Sequence, residues 1–309
     1  MTTQETGTRK LTTANRTDEY SKLDKVDDRS GILYFLKRFP RESPLNVVAL
    51  VIIIGFFFLT IFGPTLAPHD PITPDTENRF VGPSSQYWFG TDNLGRDVLS
   101  RVMTGARISL GVATLIISIA VVVGVSVGAI AGYIGGWVDE FIMRMTDIFL
   151  AFPWLILAMA IAAALGPSLQ NTVIALAVVY WPWYARLVRG QVMAIKERDF
   201  VEAARSIGLR PSRILLKHIL PNAWAPVIIQ LTIDVGYAVL ATAALSFIGL
   251  GAQPPSPEWG TMISGARTYF REAWWFITFP GIALSLTVIG FNLLGDGLRD
   301  YFDPRTRSR

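Results

Sequence analysis

Two long stretches without charged side chains constrain this chain more than any other feature. No Asp, Glu, Lys or Arg occurs between 108 and 138 or between 148 and 185. A helix needs about 20 apolar residues to cross a bilayer, so each stretch is long enough for at least one span. Only 17% of all residues are charged, whereas soluble domains carry about a quarter. The sequence therefore predicts a membrane protein with several spans.

Six segments have the length and apolar character of a membrane-spanning helix. They lie at 45–66, within 108–132, and at 144–165, 170–187, 225–250 and 274–294. Basic residues are concentrated in 1–44, in 186–217 and in the tail after Gly295, and such a bias marks the cytoplasmic side. The prediction is an all-α fold of six transmembrane helices, with both termini in the cytoplasm and with 67–107 and 251–273 outside.

Three regions follow from this order of spans. Residues 1–30 are predicted to be a disordered cytoplasmic tail, because they have few apolar side chains to bury. They also lack the apolar core of a signal peptide. Residues 31–104 hold the first transmembrane helix and an extracytoplasmic segment. Residues 105–309 form a core of five transmembrane helices with a cytoplasmic loop at about 189–224.

The cytoplasmic loop has the pattern of two short helices joined by a turn. One apolar helix face is formed by Phe200, Ala203, Ala204 and Ile207, which follow helical spacing. We expect Asp199 to cap this first helix and Gly208 to end it in a left-handed conformation. The second helix should begin at Pro211, bury 214–220 and end at Pro221.

This loop permits three interpretations. Basic loops are common on the cytoplasmic side of membrane proteins, so the charges of Arg210, Arg213 and Lys217 need no function. Alanines on a capped helix, however, let another body approach closely, which favours a docking surface for a cytoplasmic partner. A DNA-reading helix–turn–helix fits poorly, because membrane spans hold the unit at both ends.

The motif "EAARSIG" followed by "KHILPN" resembles the Glu-Ala-Ala loop of ABC importer permeases. The matching positions are Glu202, Ala203, Ala204, Gly208, Leu220 and Pro221. In that family the loop is a coupling helix that sits in a groove of the ATP-hydrolysing subunit. The resemblance implies that these residues, with Arg205 beside them, couple transport to a separate ATPase.

Three longer motifs narrow the resemblance. "WFGTDNLGRDVLSRVMTGARISL" (88–110), "GYIGGWVDEFIMRMTDIFLAFPWLILA" (132–158) and "LSFIGLGAQPPSPEWGTMI" (245–263) resemble the C-type permease of dipeptide and oligopeptide importers, and the resemblance runs from Leu33 to Arg305. Nickel and glutathione importers share these motifs, so the substrate stays open. The branch often has Glu at the position of Thr242, which makes Thr242 a candidate for the translocation path.

The resemblance implies a type I ABC importer permease fold in the bacterial inner membrane. It also implies an assembly with a B-type permease subunit, two ATP-binding subunits and an extracytoplasmic solute-binding protein. Membrane lipid is the remaining partner, and no nucleic acid is expected. Transport would proceed by alternating access. A channel or secondary transporter is one rival class, and it predicts transport without an ATPase and no need for the loop at 199–221. A membrane scaffold is the other, and it predicts that loss of Asp234 or of Glu202 is tolerated.

Charged side chains inside the predicted spans are candidates for pairing or for a path. Arg144 and Asp147 are three residues apart and share a helix face, so we expect a structural ion pair between them. Asp234 lies about two turns into the fifth span, where an unpaired acid is costly. It either lines the translocation path or pairs with a partner subunit or a basic residue.

Several kinds of site are not expected. The chain has no Cys and only two His, at 69 and 218 on opposite sides, so no metal cluster is predicted. "GTDNLGRD" (90–97) lacks the Lys-Ser/Thr ending of a phosphate loop, and we interpret it as a turn in which Asp92 and Asp97 act as helix caps. No cofactor and no enzymatic activity are predicted, since ATP and magnesium would be used by the partner subunits.

Aromatic and proline residues mark the predicted membrane boundaries. Most of the nine tryptophans lie near span ends, which is typical of an aromatic belt. "PPSPEWG" (254–260) cannot form a regular helix because of its prolines. We expect it to begin an outer loop or a short re-entrant helix that faces the delivery protein.

Overall fold

The computed structural model describes residues 39–40 and 43–302, and the predicted tail at 1–30 lies outside these ranges. In chain order the helices are α1 (Pro44–Leu66), α2 (Val98–Ile134), α3 (Gly136–Leu150), α4 (Trp154–Leu165), α5 (Leu169–Lys196), α6 (Asp199–Ser206), α7 (Pro211–Ile214), α8 (Leu220–Phe247), α9 (Trp259–Ala266) and α10 (Trp274–Phe302). Within the described residues there is no strand, only an isolated bridge between Thr91 and Asp97. The all-α prediction is confirmed.

Four helices are long and apolar enough to cross a membrane. They are α1, α2, the continuous helix Pro211–Phe247 and α10. The pair α3 and α4 passes the same test as a fifth span, although it is bent by 86°. Helix α5 is long but less apolar, since it carries Arg186, Arg189 and Lys196.

The bend between α3 and α4 contradicts the expected continuous helix at 144–165. Pro153 occupies the N-cap position of α4. Proline lacks the N–H that a helix interior needs and disfavours the helical conformation of the residue before it. The apolar run is therefore divided into two helices that meet at 151–153.

Helix α1 presents an apolar surface to its surroundings. Val51, Ile54 and Ile61 are 66%, 63% and 64% exposed, while Ile53 and Phe56 pack into the core. Large exposed aliphatic side chains on a helix of this length are typical of contact with lipid.

Helices α2 and α5 form a close backbone contact. Gly124, Gly128 and Gly132 of α2 face α5 at a spacing of four residues. A Cβ on Gly128 would lie 2.3 Å from the carbonyl oxygen of Ala185, so only glycine permits this approach. The sequence interpretation missed this contact, although the glycine spacing was a signal that could have predicted it.

Ion pairs fasten α3 to α5. Arg189 Nε lies 2.5 Å from Asp139 Oδ1, and Arg186 pairs with Asp147. The predicted pair of Arg144 with Asp147 is therefore wrong. Arg144 instead lies 3.4 Å from Glu140, one turn away on the same helix, because Asp147 points to the neighbouring helix α5.

The residues before α2 and those at 251–273 pack against the start of α2, where Arg101 donates to the carbonyl oxygens of Pro71 at 2.6 Å and Pro255 at 3.4 Å. Asp97 caps α2 by accepting from the backbone N–H of Ser100 at 2.8 Å, as predicted. Asp92 is not a helix cap. Its carboxylate accepts from the backbone N–H groups of Leu94 and Arg96, at 2.8 and 3.0 Å, and organises the turn.

Two tryptophans depart from the predicted aromatic belt. Trp259 is fully buried and donates from Nε1 to the carbonyl oxygen of Val102 at 3.0 Å. Trp275 donates in the same way to Thr91 at 3.0 Å. The short helix expected after "PPSP" is present as α9, and Glu258 caps it by accepting from the backbone N–H of Thr261 at 2.8 Å.

Candidate functional site

Helix α6 lies against the protein on one side and is open on the other. Val201 is fully buried and Ala204 is 5% exposed, which anchors the helix. Phe200 and Ile207 are 42% and 76% exposed, and Ala203 between them is also exposed. The apolar stripe predicted from the sequence therefore faces outward, apart from Ala204.

The charged residues of the predicted coupling motif lie on the same open side. Glu202, Arg205, Arg210, Arg213 and Lys217 are all exposed. An exposed apolar stripe flanked by ionic side chains is the arrangement expected of a protein docking surface. We call α6, the following turn and α7 the docking unit (Asp199–Ile214).

The turn of the docking unit is fixed by Gly208. Its φ is +76°, as predicted. The backbone N–H of Leu209 donates to Ala204 at 3.2 Å, and that of Gly208 donates to Arg205 at 2.9 Å. This pair of bonds is a Schellman motif, which ends a helix and sets the direction of the outgoing chain.

Two details of the docking unit differ from the prediction. Asp199 is the first helical residue, and Arg198 holds the N-cap position without a side-chain hydrogen bond. Asp199 stabilises α6 through the positive end of the helix dipole, because its side chain lies in the first turn. Leu216, expected to be buried, is 62% exposed.

The second helix of the loop does not end at Pro221. Pro211 begins α7 as predicted, but a π-helical segment (Leu215–Ile219) joins α7 to α8. Pro221 closely follows this π-helical segment, which interrupts the regular hydrogen-bond ladder that proline cannot complete. Leu220 and Pro221 therefore belong to one continuous helix, Pro211–Phe247.

A cavity of about 280 Å³ lies between α4, α5 and α8. Its lining residues are Trp154, Val179, Tyr180, Trp183, Gln230, Asp234 and Tyr237. Asp234, one of the two predicted path residues, is 6% exposed. We call this site the Asp234 cavity.

Two neutral groups hold the carboxylate of Asp234. The hydroxyl of Tyr184 donates to Oδ2 at 2.7 Å, and Nε2 of Gln230 donates to Oδ1 at 2.9 Å. Tyr184 is fully buried and reaches Asp234 from α5. Sequence reasoning missed Tyr184, since nothing in a linear sequence indicates a contact between these two helices.

Thr242, the other predicted path residue, lies elsewhere. It is fully buried two turns further along α8, and it is not among the residues that line the Asp234 cavity. Within the described part of the chain, its hydroxyl oxygen makes no hydrogen bond. The role of Thr242 in the translocation path therefore stays a prediction.

Comparison with known protein families gives two matches along the chain. The model of the binding-protein-dependent transport system inner membrane component matches residues 124–308. The model of the N-terminal TM domain of oligopeptide transport permease C matches residues 34–83. Together they cover α1 and most of the core.

Three curated proteins are similar over most of their length. A dipeptide transport system permease protein, DppC, from Alkalihalophilus pseudofirmus is 47% identical over 87% of this chain and 88% of its own. A probable D,D-dipeptide transport system permease protein, DdpC, from Escherichia coli is 46% identical over 86% and 89%. A glutathione transport system permease protein, GsiD, from Shigella flexneri is 47% identical over 88% and 90%.

Comparison with solved structures also gives a match. The MetNI methionine ABC transporter in an inward-facing conformation matches with a TM-score of 0.49 and 19% sequence identity. The match covers 63% of this chain and 95% of that one.

Proposed function

Because this chain belongs to the family of binding-protein-dependent transport system inner membrane components, we propose that it is the C-type permease subunit of an ATP-driven peptide importer. It is a multi-pass protein of the inner membrane, and ATP hydrolysis belongs to separate subunits. The identity of 47% with a dipeptide permease over 87% of the chain carries the assignment of a peptide as substrate.

In this proposal the chain spans the membrane six times with both termini in the cytoplasm. The bent pair α3–α4 and the less apolar α5 then each count as one span. A B-type permease subunit encloses the other half of the path. Two ATP-binding subunits lie on the cytoplasmic side, and a solute-binding protein delivers peptide to the segments at 67–107 and 251–273.

The docking unit would receive the ATPase. Its exposed stripe at Phe200, Ala203 and Ile207 suits a groove in the partner, and its basic rim suits an acidic border. Because the helix from Pro211 to Phe247 is continuous, a displacement of Arg213 by the ATPase would move the same helix that carries Asp234. The rise of 1.5 Å per residue makes the distance between Arg213 and Asp234 about 30 Å.

Alternating access then follows from ATP binding. To shift the two states from 1:99 to 99:1, ATP must favour one of them by about 5.5 kcal/mol. A flexible loop could not pass this free-energy difference from the ATPase to the spans, whereas an anchored helix with a fixed turn can. This is the physical role that we assign to Val201, Ala204 and Gly208.

Glutathione is the second candidate substrate, since a glutathione permease is 47% identical over 88% of the chain. Uptake of labelled dipeptide, pentapeptide and glutathione in cells with and without this gene separates the candidates. Loss of dipeptide or pentapeptide uptake on deletion is the expected result. Loss of glutathione uptake alone would overturn the peptide assignment, and no change in any of the three would overturn both.

A further inference from the structure

The Asp234 cavity combines one buried acid with several aromatic side chains. Trp154, Trp183 and Tyr237 are 40%, 55% and 45% exposed, whereas Asp234 is only 6% exposed. An opening bordered by aromatic rings therefore leads to a carboxylate. The other polar residues of the lining are Gln230, two tyrosines with their hydroxyls and two tryptophans with their indole N–H groups, and the lining holds no basic residue.

The carboxylate of Asp234 has unused capacity for hydrogen bonds. An ionised carboxylate offers about four lone-pair sites, and Tyr184 and Gln230 occupy two of them. Among the residues that the structure describes, no Lys, Arg or His forms an ion pair with Asp234. Both of its present donors are neutral, so an ionised Asp234 has no counter-charge in the described part of this chain.

Aromatic faces around an anion recognise a cation. The faces of Trp and Tyr attract ammonium groups, most strongly where water is excluded. A carboxylate adds a charge-assisted hydrogen bond, which is shorter and stronger than a neutral one. The Asp234 cavity brings aromatic rings and a carboxyl group together at one place.

The size of the cavity limits what it can hold. Sites for whole drug-sized ligands measure about 300–1,000 Å³, and this cavity, at about 280 Å³, lies at the lower end. A cavity of this volume can hold one end of a larger ligand. It also lies beside the break between α3 and α4, and broken helices are a common place for substrate sites in transporters.

We propose that the Asp234 cavity binds the α-ammonium group of the transported peptide. This inference rests on the proposed function, and it assigns one substrate-binding site along the proposed translocation path. The carboxylate of Asp234 accepts from the ammonium group, and Trp154, Tyr180, Trp183 and Tyr237 surround it. The first side chain of the peptide remains outside the Asp234 cavity, so peptides with different first residues can bind.

The absence of cysteine from the chain provides a direct test. Val179 lines the cavity, and Val179→Cys places a thiol there without removing an aromatic ring. The purified membrane complex, without the solute-binding protein, is treated with a water-soluble maleimide, and the rate for the complex without the substitution is subtracted. A dipeptide should slow modification several-fold, and its N-acetylated form should not.

Substitutions in the lining of the Asp234 cavity identify the groups that bind the ammonium group of the dipeptide. In the Val179→Cys background, Asp234→Asn should raise the half-protecting dipeptide concentration about tenfold or more, because a hydrogen bond to a charged group is lost. Tyr237→Leu should raise it several-fold by removing one ring.

Control measurements fix the interpretation. Ser85→Cys lies in an exposed loop outside the cavity and should show no protection. Equal protection by the free and N-acetylated dipeptides would overturn the proposal, as would no protection or protection unaffected by both Asp234→Asn and Tyr237→Leu. ATP-dependent dipeptide uptake by the unsubstituted complex tests the importer function separately, so either idea can fail without the other.

Discussion

At the scale of single residues, Gly208 offers the sharpest test of the docking unit. A Cβ at this position would meet nothing within 4 Å, but its φ of +76° costs an L-residue about 1–2 kcal/mol. Gly208→Ala should therefore lower peptide uptake several-fold while the complex still assembles and still hydrolyses ATP. The ratio of ATP hydrolysed to peptide transported measures this uncoupling.

Gly190→Ala is the matched control for this change. Gly190 also has open space around its Cβ position, but it lies inside α5, where alanine is the better helix former. Its uptake should equal that of the unsubstituted chain. Normal coupling in Gly208→Ala would contradict the assigned role of the turn.

Residue-scale features were predictable where local backbone chemistry decides them. The positive φ of Gly208 and the helix start at Pro211 follow from what glycine and proline permit. The partner of Asp147 was not predictable, because Arg186 comes from another helix. The same reason hid the contact between Tyr184 and Asp234, although the sequence alone marked Asp234 as an unusual residue in a span.

At the scale of helices, the contact between α2 and α5 should be sensitive to a single methyl group. A Cβ on Gly128 would lie 2.3 Å from a backbone oxygen, so Gly128→Ala must push the helices apart. Overpacking of this kind costs about 1–3 kcal/mol. We expect a lower unfolding temperature of the detergent-solubilised complex, measured by the loss of folded protein on heating.

Gly111→Ala controls for the loss of a glycine from the same helix. Gly111 lies in α2 with nothing within 4 Å of its Cβ position. This variant should keep or slightly raise the unfolding temperature, since alanine favours the helix. An equal temperature for Gly128→Ala and Gly111→Ala would show that the close approach of α2 and α5 contributes nothing to stability.

Helices were predictable as apolar runs, but their ends were not. All six predicted segments lie mainly in helices, because length and hydropathy decide whether a segment is helical in a membrane. The bend at 151–153 was missed because the uncharged run hid Pro153. Pro221 was expected to end a helix, but the helix continues through it. The π-helical segment Leu215–Ile219 interrupts the regular hydrogen-bond ladder there, and a linear sequence does not show such an interruption.

At the scale of the whole molecule, the number of spans and their direction are testable with single thiols. Ser85 lies in the segment before α2, and Ala194 lies near the end of α5. Three spans separate them if the bent pair α3–α4 crosses the membrane, so they lie on opposite sides. In intact spheroplasts, an impermeant maleimide should label Ser85→Cys and not Ala194→Cys.

Permeabilised cells supply the control, because both variants should then be labelled, while the cysteine-free chain should not. Labelling of both variants in intact spheroplasts would mean that α3 and α4 enter and leave on one side as a re-entrant loop. Labelling of Ala194→Cys alone would reverse the orientation and would place the docking unit where no ATP is available. Only the first pattern puts the docking unit on the side of the membrane that holds ATP, at the start of the helix that leads to Asp234.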